Sequence, residues 1–87
     1  MAHDTQDLQM IALIDRLPDH GADAQAALRE LYDLTSAKLY GVALRVVGNR
    51  GWAEDVLQEA YLNIWRIAGD YRASLSPPMA WMGVVVR

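Results

Sequence analysis

The apolar residues of the chain recur every three or four positions, and the runs are interrupted at glycine, proline, asparagine and serine. This spacing is typical of amphipathic helices, and no segment shows the strict alternation of a half-buried strand. The pattern therefore predicts an all-α fold, a compact bundle of four helices. They are expected over about residues 5–17, 21–47 and 52–68, and from Ser76 to the end of the chain.

Local signals account for the ends of the first three helices. Asp4 or Thr5 can cap the first helix with a side-chain oxygen, and Pro18 stops it because proline has no backbone N–H to donate. Gly48 is expected to end the second helix and Gly69 the third, since glycine readily adopts the left-handed backbone of a helix C-terminus.

The fourth helix is expected to begin at Ser76-Pro77, where a capping hydroxyl precedes a proline at the first helical position. It then runs into Arg87 without a glycine, an asparagine or another capping motif. We therefore expect the last helix to be truncated and the chain to be a piece excised from a longer protein.

The first two helices each offer one apolar face to a core. The narrow stripe of the first helix is expected to consist of Leu8, Ile11, Ile14 and Leu17. The expected buried face of the second helix comprises Ala24, Ala27, Leu28, Leu31, Thr35, Leu39, Val42 and Val46.

The third helix is predicted to bury one continuous arc of apolar side chains, which covers roughly 140° at about 100° per residue. This arc comprises Ala53, Val56, Leu57, Ala60, Tyr61, Ile64, Ile67 and Ala68. The opposite side is largely polar, as expected of a face in water. It also carries Leu62 and Trp65, which do not fit a solvated face.

Two interpretations of Leu62 and Trp65 remain open at this point. Single exposed apolar residues are ordinary on protein surfaces, and Trp65 would then tuck under a loop. Alternatively, an apolar centre surrounded by Asp55, Gln58 and Glu59 has the composition of a protein-binding face.

Composition allows one small domain, because the chain has 87 residues, of which 53% are hydrophobic and 22% charged. The net charge of −3 argues against a nucleic-acid partner, whose binders usually carry a basic surface. The charges are unevenly distributed, however. Residues 1–33 hold seven acids and two bases, whereas residues 34–87 hold four acids and six bases.

Several kinds of chemistry have no support in the sequence. There are no cysteines, and His3 and His20 do not form a metal-binding pair. The chain has no glycine-rich phosphate loop, no nucleophile with a partnered base, no signal peptide and no apolar stretch that could cross a membrane. We expect a cytoplasmic protein that is not an enzyme and needs no cofactor.

Residues 55–66 read DVLQEAYLNIWR, which resembles the D-x-x-Q-E signature in region 2 of bacterial RNA polymerase sigma factors, and most closely the extracytoplasmic-function (ECF) group. Two further segments agree with that family. Residues 39–48, LYGVALRVVG, are similar to its "LY…ALRLLGD" stretch, and residues 76–82, SPPMAWM, to its "S-P-x-A-W-L" motif. The resemblance covers about residues 24–87.

We expect an acidic N-terminal helix and turn over residues 1–21, within one domain overall. The resemblance implies a sigma region 2 domain over residues 22–87, without the family's C-terminal domain. It also implies that the third helix docks on the clamp helices of the polymerase β′ subunit. An anti-sigma factor is an expected second partner. The residues that would contact the polymerase are Asp55, Gln58, Glu59, Leu62, Trp65 and Arg66.

The resemblance further implies recognition and melting of the promoter −10 element, through its non-template strand. Tyr71 and Trp81 are aromatic platforms of the kind that unpaired bases stack on, although Trp81 also suits the core and Tyr71 also suits the base of the loop. The expected DNA-binding residues are Tyr71, Arg72, Ser74, Ser76, Met79, Trp81 and Arg87. The alternative function is a helical protein-interaction domain that keeps the docking face but does not open promoters.

Overall fold

The computed structural model describes residues 4–87, so His3 and the first three positions of the expected N-terminal unit lie outside the described residues. Residues 4–87 contain no strand, and the predicted all-α bundle of four helices is confirmed. The helices are α1 (Thr5–Asp15), α2 (Ala22–Val47), α3 (Arg50–Ile67) and α4 (Pro78–Val86). One-turn 3-10 helices, Leu17–Asp19 and Ala68–Asp70, follow α1 and α3.

The first helix ends two residues before its predicted limit at Leu17. Asp4 is its N-cap, and the Asp4 side chain accepts a hydrogen bond of 2.7 Å from the backbone N–H of Asp7. Because Pro18 cannot donate a helical hydrogen bond, the chain tightens into a 3-10 turn that closes at His20, whose φ is 54°.

The boundaries of α3 also differ from the prediction. Asn49 caps this helix by accepting a 3.0 Å hydrogen bond from the backbone N–H of Trp52, so α3 begins at Arg50 rather than at Trp52. Gly69 does not stop the helix, because the end of α3 tightens into a 3-10 turn that contains it. Gly48, with a φ of 68°, ends α2 as predicted.

The fourth helix begins at Pro78, and the prediction that Ser76 caps it is wrong. Pro77 is the N-cap and has an extended backbone, with φ −61° and ψ 150°. A residue that precedes a proline is sterically excluded from the helical region, so Pro78 keeps Pro77 out of the helix. The Ser76 hydroxyl contacts the carbonyl oxygen of Pro77 instead, at 3.3 Å.

All four helices contribute to one core, and α2 is its central element. The largest fully buried side chains are Ile14, Leu17, Leu31, Leu39, Ile64, Met82, Thr35 and Pro78. The inward arc predicted for α3 is confirmed at Ala53, Leu57, Ala60, Tyr61, Ile64 and Ala68, while Val56 and Ile67 are half-buried.

The predicted stripe of α1 is wrong at Leu8. Met10, Leu13 and Ile14 are buried on this helix, whereas Leu8 is 57% exposed and Ile11 is half-buried. At about 100° per residue, Leu8 lies on the side of α1 opposite Met10. The buried face therefore follows Met10 through Ile14, not Leu8.

The buried face of α2 also differs from the predicted one towards its end. Its buried residues follow a four-residue interval from Ala27 to Ala43, which advances about 40° around the helix at each step. The core face has consequently turned away from Val46, which is 54% exposed, and Ala43 takes its place. Leu28 and Val42, also predicted to be buried, are half-buried.

One hydrogen bond joins α2 and α3 inside the core. The Thr35 hydroxyl donates to the carbonyl oxygen of Leu31 at 2.7 Å, so its oxygen accepts the hydroxyl hydrogen of Tyr61. The Tyr61 ring also packs at a tilt against Tyr32, with 4.8 Å between ring centroids. Burial raises the pKa of Tyr61 to about 12.

The turn between α1 and α2 is braced on its surface by an ion pair. The Arg16 guanidinium donates to the Asp23 carboxylate at 2.8 Å and 3.1 Å, and this hydrogen bonding lowers the pKa of Asp23. Ile14 and Leu17, on either side of Arg16, lie in the common core. Residues 4–21 therefore pack as part of the bundle, and the division of an N-terminal unit from the rest stays a prediction.

No helix within residues 4–87 is long and apolar enough to cross a membrane. The described residues also contain no group of three or more histidine, aspartate or glutamate side chains that could hold a metal ion.

Removal of the Tyr61 hydroxyl should make the free energy of unfolding less dependent on pH above pH 10. Because the folded-state pKa of Tyr61 lies near 12, above its ordinary value of 10, the fold favours the neutral ring. This contribution is complete below pH 10 and is lost as the pH rises to 12, by about 2 kcal/mol at 1.36 kcal/mol per pKa unit.

Urea unfolding at several pH values between 8 and 11.5 tests this prediction. The wild-type chain should lose stability above pH 10, and Tyr61→Phe should lose less over the same interval. At pH 8 the variant should be about 1 kcal/mol less stable, because it lacks the bond to Thr35. Equal losses in the two proteins above pH 10 would contradict the assignment.

Candidate functional site

One exposed side of α3 carries five of the six residues expected to contact a polymerase. We call Asp55, Gln58, Glu59, Leu62 and Arg66 the α3 face; all five are exposed. Leu62 is 59% exposed and lies one turn from both Glu59 and Arg66. The structure therefore brings an apolar side chain and its polar surround together on a single rigid helix.

The carboxylates of the α3 face have no cation within ion-pair distance among the described residues. Asp55 and Glu59 are one turn apart and carry like charges, which disfavours the isolated helix by a few tenths of a kcal/mol, roughly. Arg66 does not relieve them, because its guanidinium donates to the Asn63 side-chain oxygen at 2.7 Å. A cationic partner would pair with both carboxylates.

Trp65, the sixth expected residue, is half-buried at the side of the α3 face. Its ring stacks on His20 with 4.7 Å between centroids and an angle of 16°. The His20 Nε2 atom lies 2.8 Å from the carbonyl oxygen of Trp65. The turn before α2 therefore covers this tryptophan, which matches the interpretation that it tucks under a loop.

Trp52 is a residue of this surface that the sequence interpretation missed. It is 65% exposed and lies three residues before Asp55 and seven before Glu59, which places it on the same side of α3. The sequence interpretation began the helix at Trp52 and therefore did not assign this residue to either side of it. With Asn49 as the cap, α3 begins two residues earlier, at Arg50. The three-residue spacing between Trp52 and Asp55 was the signal in the sequence that both lie on one side of the helix.

Tyr71 and Trp81 hold the segment between α3 and α4, residues 71–77, which we call the 71–77 loop. Tyr71 is only 9% exposed, and its hydroxyl donates to the carbonyl oxygen of Ser76 at 2.8 Å. Its ring packs against half-buried Trp81 with 4.9 Å between centroids. Burial raises the pKa of the Tyr71 hydroxyl. Both aromatic rings therefore brace the loop.

The outer part of the 71–77 loop carries a basic side chain and an apolar tip. Arg72 is exposed, and its guanidinium donates to the carbonyl oxygens of Gly69 and Tyr71 at 2.8 and 2.9 Å. The backbone N–H groups of Leu75 and Ser76 both donate to the carbonyl oxygen of Arg72. This turn leaves Leu75 83% exposed, a residue that the sequence interpretation did not select.

The seven expected DNA-binding residues fall into three classes of exposure. Arg72, Ser74 and Arg87 are exposed, and Tyr71 is buried. The three half-buried residues are Ser76, Met79 and Trp81. The loop and α4 thus present cations and small polar groups outward, with the aromatic rings beneath them.

Comparison of the sequence with known proteins places the chain in a family. The pattern of sigma-70 region 2 matches residues 31–87. The chain is similar to the ECF RNA polymerase sigma factor SigK of Mycobacterium sp. (strain KMS), with 38% identity over 78 residues. It is also similar to the proteins of the same name from Mycobacterium bovis (strain BCG / Pasteur 1173P2) and Mycobacterium tuberculosis (strain ATCC 25618 / H37Rv), each 37% identical over 71 residues.

These matches cover most of this chain but only part of each relative. The alignment with the KMS-strain protein spans 90% of this chain and 38% of the relative, and the other two span 82% and 36%. No solved structure matches the chain significantly.

Loss of the Tyr71 hydroxyl should loosen the 71–77 loop without unfolding the bundle. Tyr71→Phe removes the bond to the Ser76 carbonyl and should cost about 1 kcal/mol of global stability. Amide hydrogen exchange should become faster at Leu75 and Ser76, whose N–H groups close the turn.

Thr35 provides the matched control for that measurement, because Thr35→Val also removes a buried hydroxyl bond, but far from the loop. Once its effect on global stability is allowed for, Thr35→Val should leave the amide exchange rates of Leu75 and Ser76 unchanged. If Tyr71→Phe also leaves it unchanged, the hydroxyl does not hold the loop.

Proposed function

The chain belongs to the sigma-70 region 2 family of non-enzymatic transcription initiation factors, and we propose that it docks on core RNA polymerase and helps to recognise and melt the promoter −10 element. The observation that carries the docking proposal is the exposed Leu62 at the centre of the α3 face. The partner surface is the pair of clamp helices of the β′ subunit, and the chain acts by binding.

The composition of the α3 face supports a basic, helical partner. An exposed leucine surrounded by polar groups has the layout of an interface core and its rim. Asp55 and Glu59 lack cationic partners within the part of the chain that the structure describes, so arginines from the clamp helices would complete both pairs. Such pairs speed association and fix its register more than they increase affinity.

The 71–77 loop and α4 support the second role, in which the non-template strand of the −10 element is bound as a single strand. Strand separation requires cations for phosphates and apolar surface for unpaired bases. Arg72 and Arg87 provide charge, and Leu75 provides an exposed apolar tip of the kind that enters between unstacked bases. Tyr71 and Trp81 hold that tip in place.

A second candidate function is a helical protein-interaction domain without promoter-opening activity. The burial of Tyr71 favours it, because a ring that is 9% exposed offers little surface to a base. An anti-sigma factor that covers the α3 face is the partner we propose for regulation, as the resemblance to the ECF group implies.

Docking should depend on Leu62 and not on exposed leucines elsewhere. We expect Leu62→Asp to weaken binding to a fragment containing the β′ clamp helices at least about 10-fold, since central apolar anchors carry most of an interface's energy. Leu8 is 57% exposed on α1 and makes a matched control, so Leu8→Asp should bind like wild type. Calorimetric titration measures both.

Equal binding by the two variants would remove the support for the α3 face. Failure of the wild-type chain to bind the clamp helices would reject polymerase docking itself.

Binding of the non-template strand should depend on the tip of the 71–77 loop. With the clamp-helix fragment present, Leu75→Ser should weaken binding of single-stranded −10 DNA about 5-fold, because an apolar contact to a base is worth about 1 kcal/mol or more. The matched control is Val46→Ser, which alters an exposed apolar residue at the end of α2.

Fluorescence anisotropy over a range of salt concentrations measures this effect. Leu75→Ser should leave the salt dependence unchanged, because it removes no cation, whereas Arg72→Ala should reduce its slope by about one phosphate contact. Wild-type affinity for the −10 strand no higher than for a scrambled strand would favour the protein-interaction function.

A further inference from the structure

A groove of about 340 Å³ opens between α2 and α3, on the side of Gln58 away from Leu62. Ser36 and Ala37 of α2 lie along it, and their small side chains leave the space unfilled. The other side chains around it are two tyrosines, Tyr32 and Tyr40, together with Glu54, Leu57 and Gln58 of α3. This volume is that of a site for one side chain or a small ligand.

The wall of the groove is preformed. Tyr32 is 43% exposed, and its ring rests on Tyr61 at a centroid distance of 4.8 Å and an angle of 56°. Tyr61 is held in turn by its hydrogen bond with Thr35 in the core. The Tyr32 side chain is therefore a supported part of the groove wall, and a ligand stacked on its ring would lose little energy in ordering the wall.

The polar groups of the groove are suited to a cation. Glu54 is exposed, and no cationic side chain of residues 4–87 lies within ion-pair distance of its carboxylate. The Gln58 side chain brings an amide oxygen that can accept a hydrogen bond. Phosphate or another anion would meet the Glu54 charge and is disfavoured.

We propose that this groove binds an arginine side chain of the protein that docks on the α3 face. A guanidinium is planar, stacks on aromatic rings and offers five N–H donors, which would meet the Tyr32 ring, the Glu54 carboxylate and the Gln58 oxygen together. Lysine offers only a compact charge without a stacking plane. The inference rests on the proposed docking function, because Gln58 belongs to both the groove and the α3 face.

A free arginine derivative tests the groove without any polymerase. Nα-acetyl-arginine methylamide should shift the ring signals of Tyr32 and Tyr40 in NMR titrations, and the neutral citrulline derivative should bind at least about 10-fold more weakly, since charge-assisted bonds are about twice as strong as neutral ones. Glu54→Gln should weaken arginine binding about 10-fold by the same argument. Tyr32→Leu should weaken it about 3-fold, the effect of an exposed cation–π contact.

Asp15→Asn is the matched control, because it removes one negative charge at an exposed position on α1. It should leave arginine binding unchanged. Equal binding of arginine and citrulline derivatives, or an unchanged affinity in Glu54→Gln, would overturn the proposal. Tighter binding of the blocked lysine derivative would overturn the assignment to arginine.

A second titration separates this inference from the docking function. Glu54→Gln should weaken binding to the clamp-helix fragment about 10-fold, whereas Leu62→Asp should weaken fragment binding but leave binding of the arginine derivative intact. If Leu62→Asp abolishes fragment binding and Glu54→Gln leaves it unchanged, the proposed role of the groove is overturned and the docking proposal for the α3 face stands. A wild-type chain that binds the arginine derivative but not the fragment would reject the docking partner alone.

Discussion

The packing of α3 along α2 is the constraint on which the rest of the structure depends. The buried residues of α2 follow a four-residue row that ends at Ala43, and the inward arc of α3, including Leu57 and Ile64, shares one core with it. Because the buried arc of α3 must stay out of water, the opposite side of the helix has to face the solvent. Asp55 and Leu62 point into solvent as a consequence of what α3 buries.

The bond between Thr35 and Tyr61 fixes how the two helices are aligned along their length. Sliding α3 by one turn would leave a buried hydroxyl without a partner, at a cost of about 1–3 kcal/mol. The same tyrosine supports Tyr32, so the alignment also sets the shape of the groove beside Glu54. A polar contact inside the core thereby determines which groups meet on the surface.

The 71–77 loop and α4 lie in the more basic part of an acidic chain. Charges in water act over about 10 Å at 0.1 M salt, so the local balance around Arg72 matters more than the total of −3. The acidic excess lies in residues 1–33, and the bases lie in the part that carries the loop and α4. Tyr71 and Trp81 add rigidity there.

Sequence alone determined the number and type of the helices, and it separated the two sides of α3, because a period of 3.6 residues is a local property of the chain. It also led to the family through motifs that are each contiguous along the chain. Placement of Asp55 and Leu62 on one exposed side needed nothing more than that period.

Only the tertiary structure decided which side chains are covered by residues distant along the chain. His20 covers Trp65 across 45 positions, and the packing of α1 turns Leu8 outward. Tyr71 is buried and its hydroxyl bonds to the Ser76 carbonyl five residues further along the chain. Leu75, between them, is exposed. Which face of α1 is buried and which aromatic rings are covered follow from contacts between elements, and helical periodicity within one element does not determine these contacts.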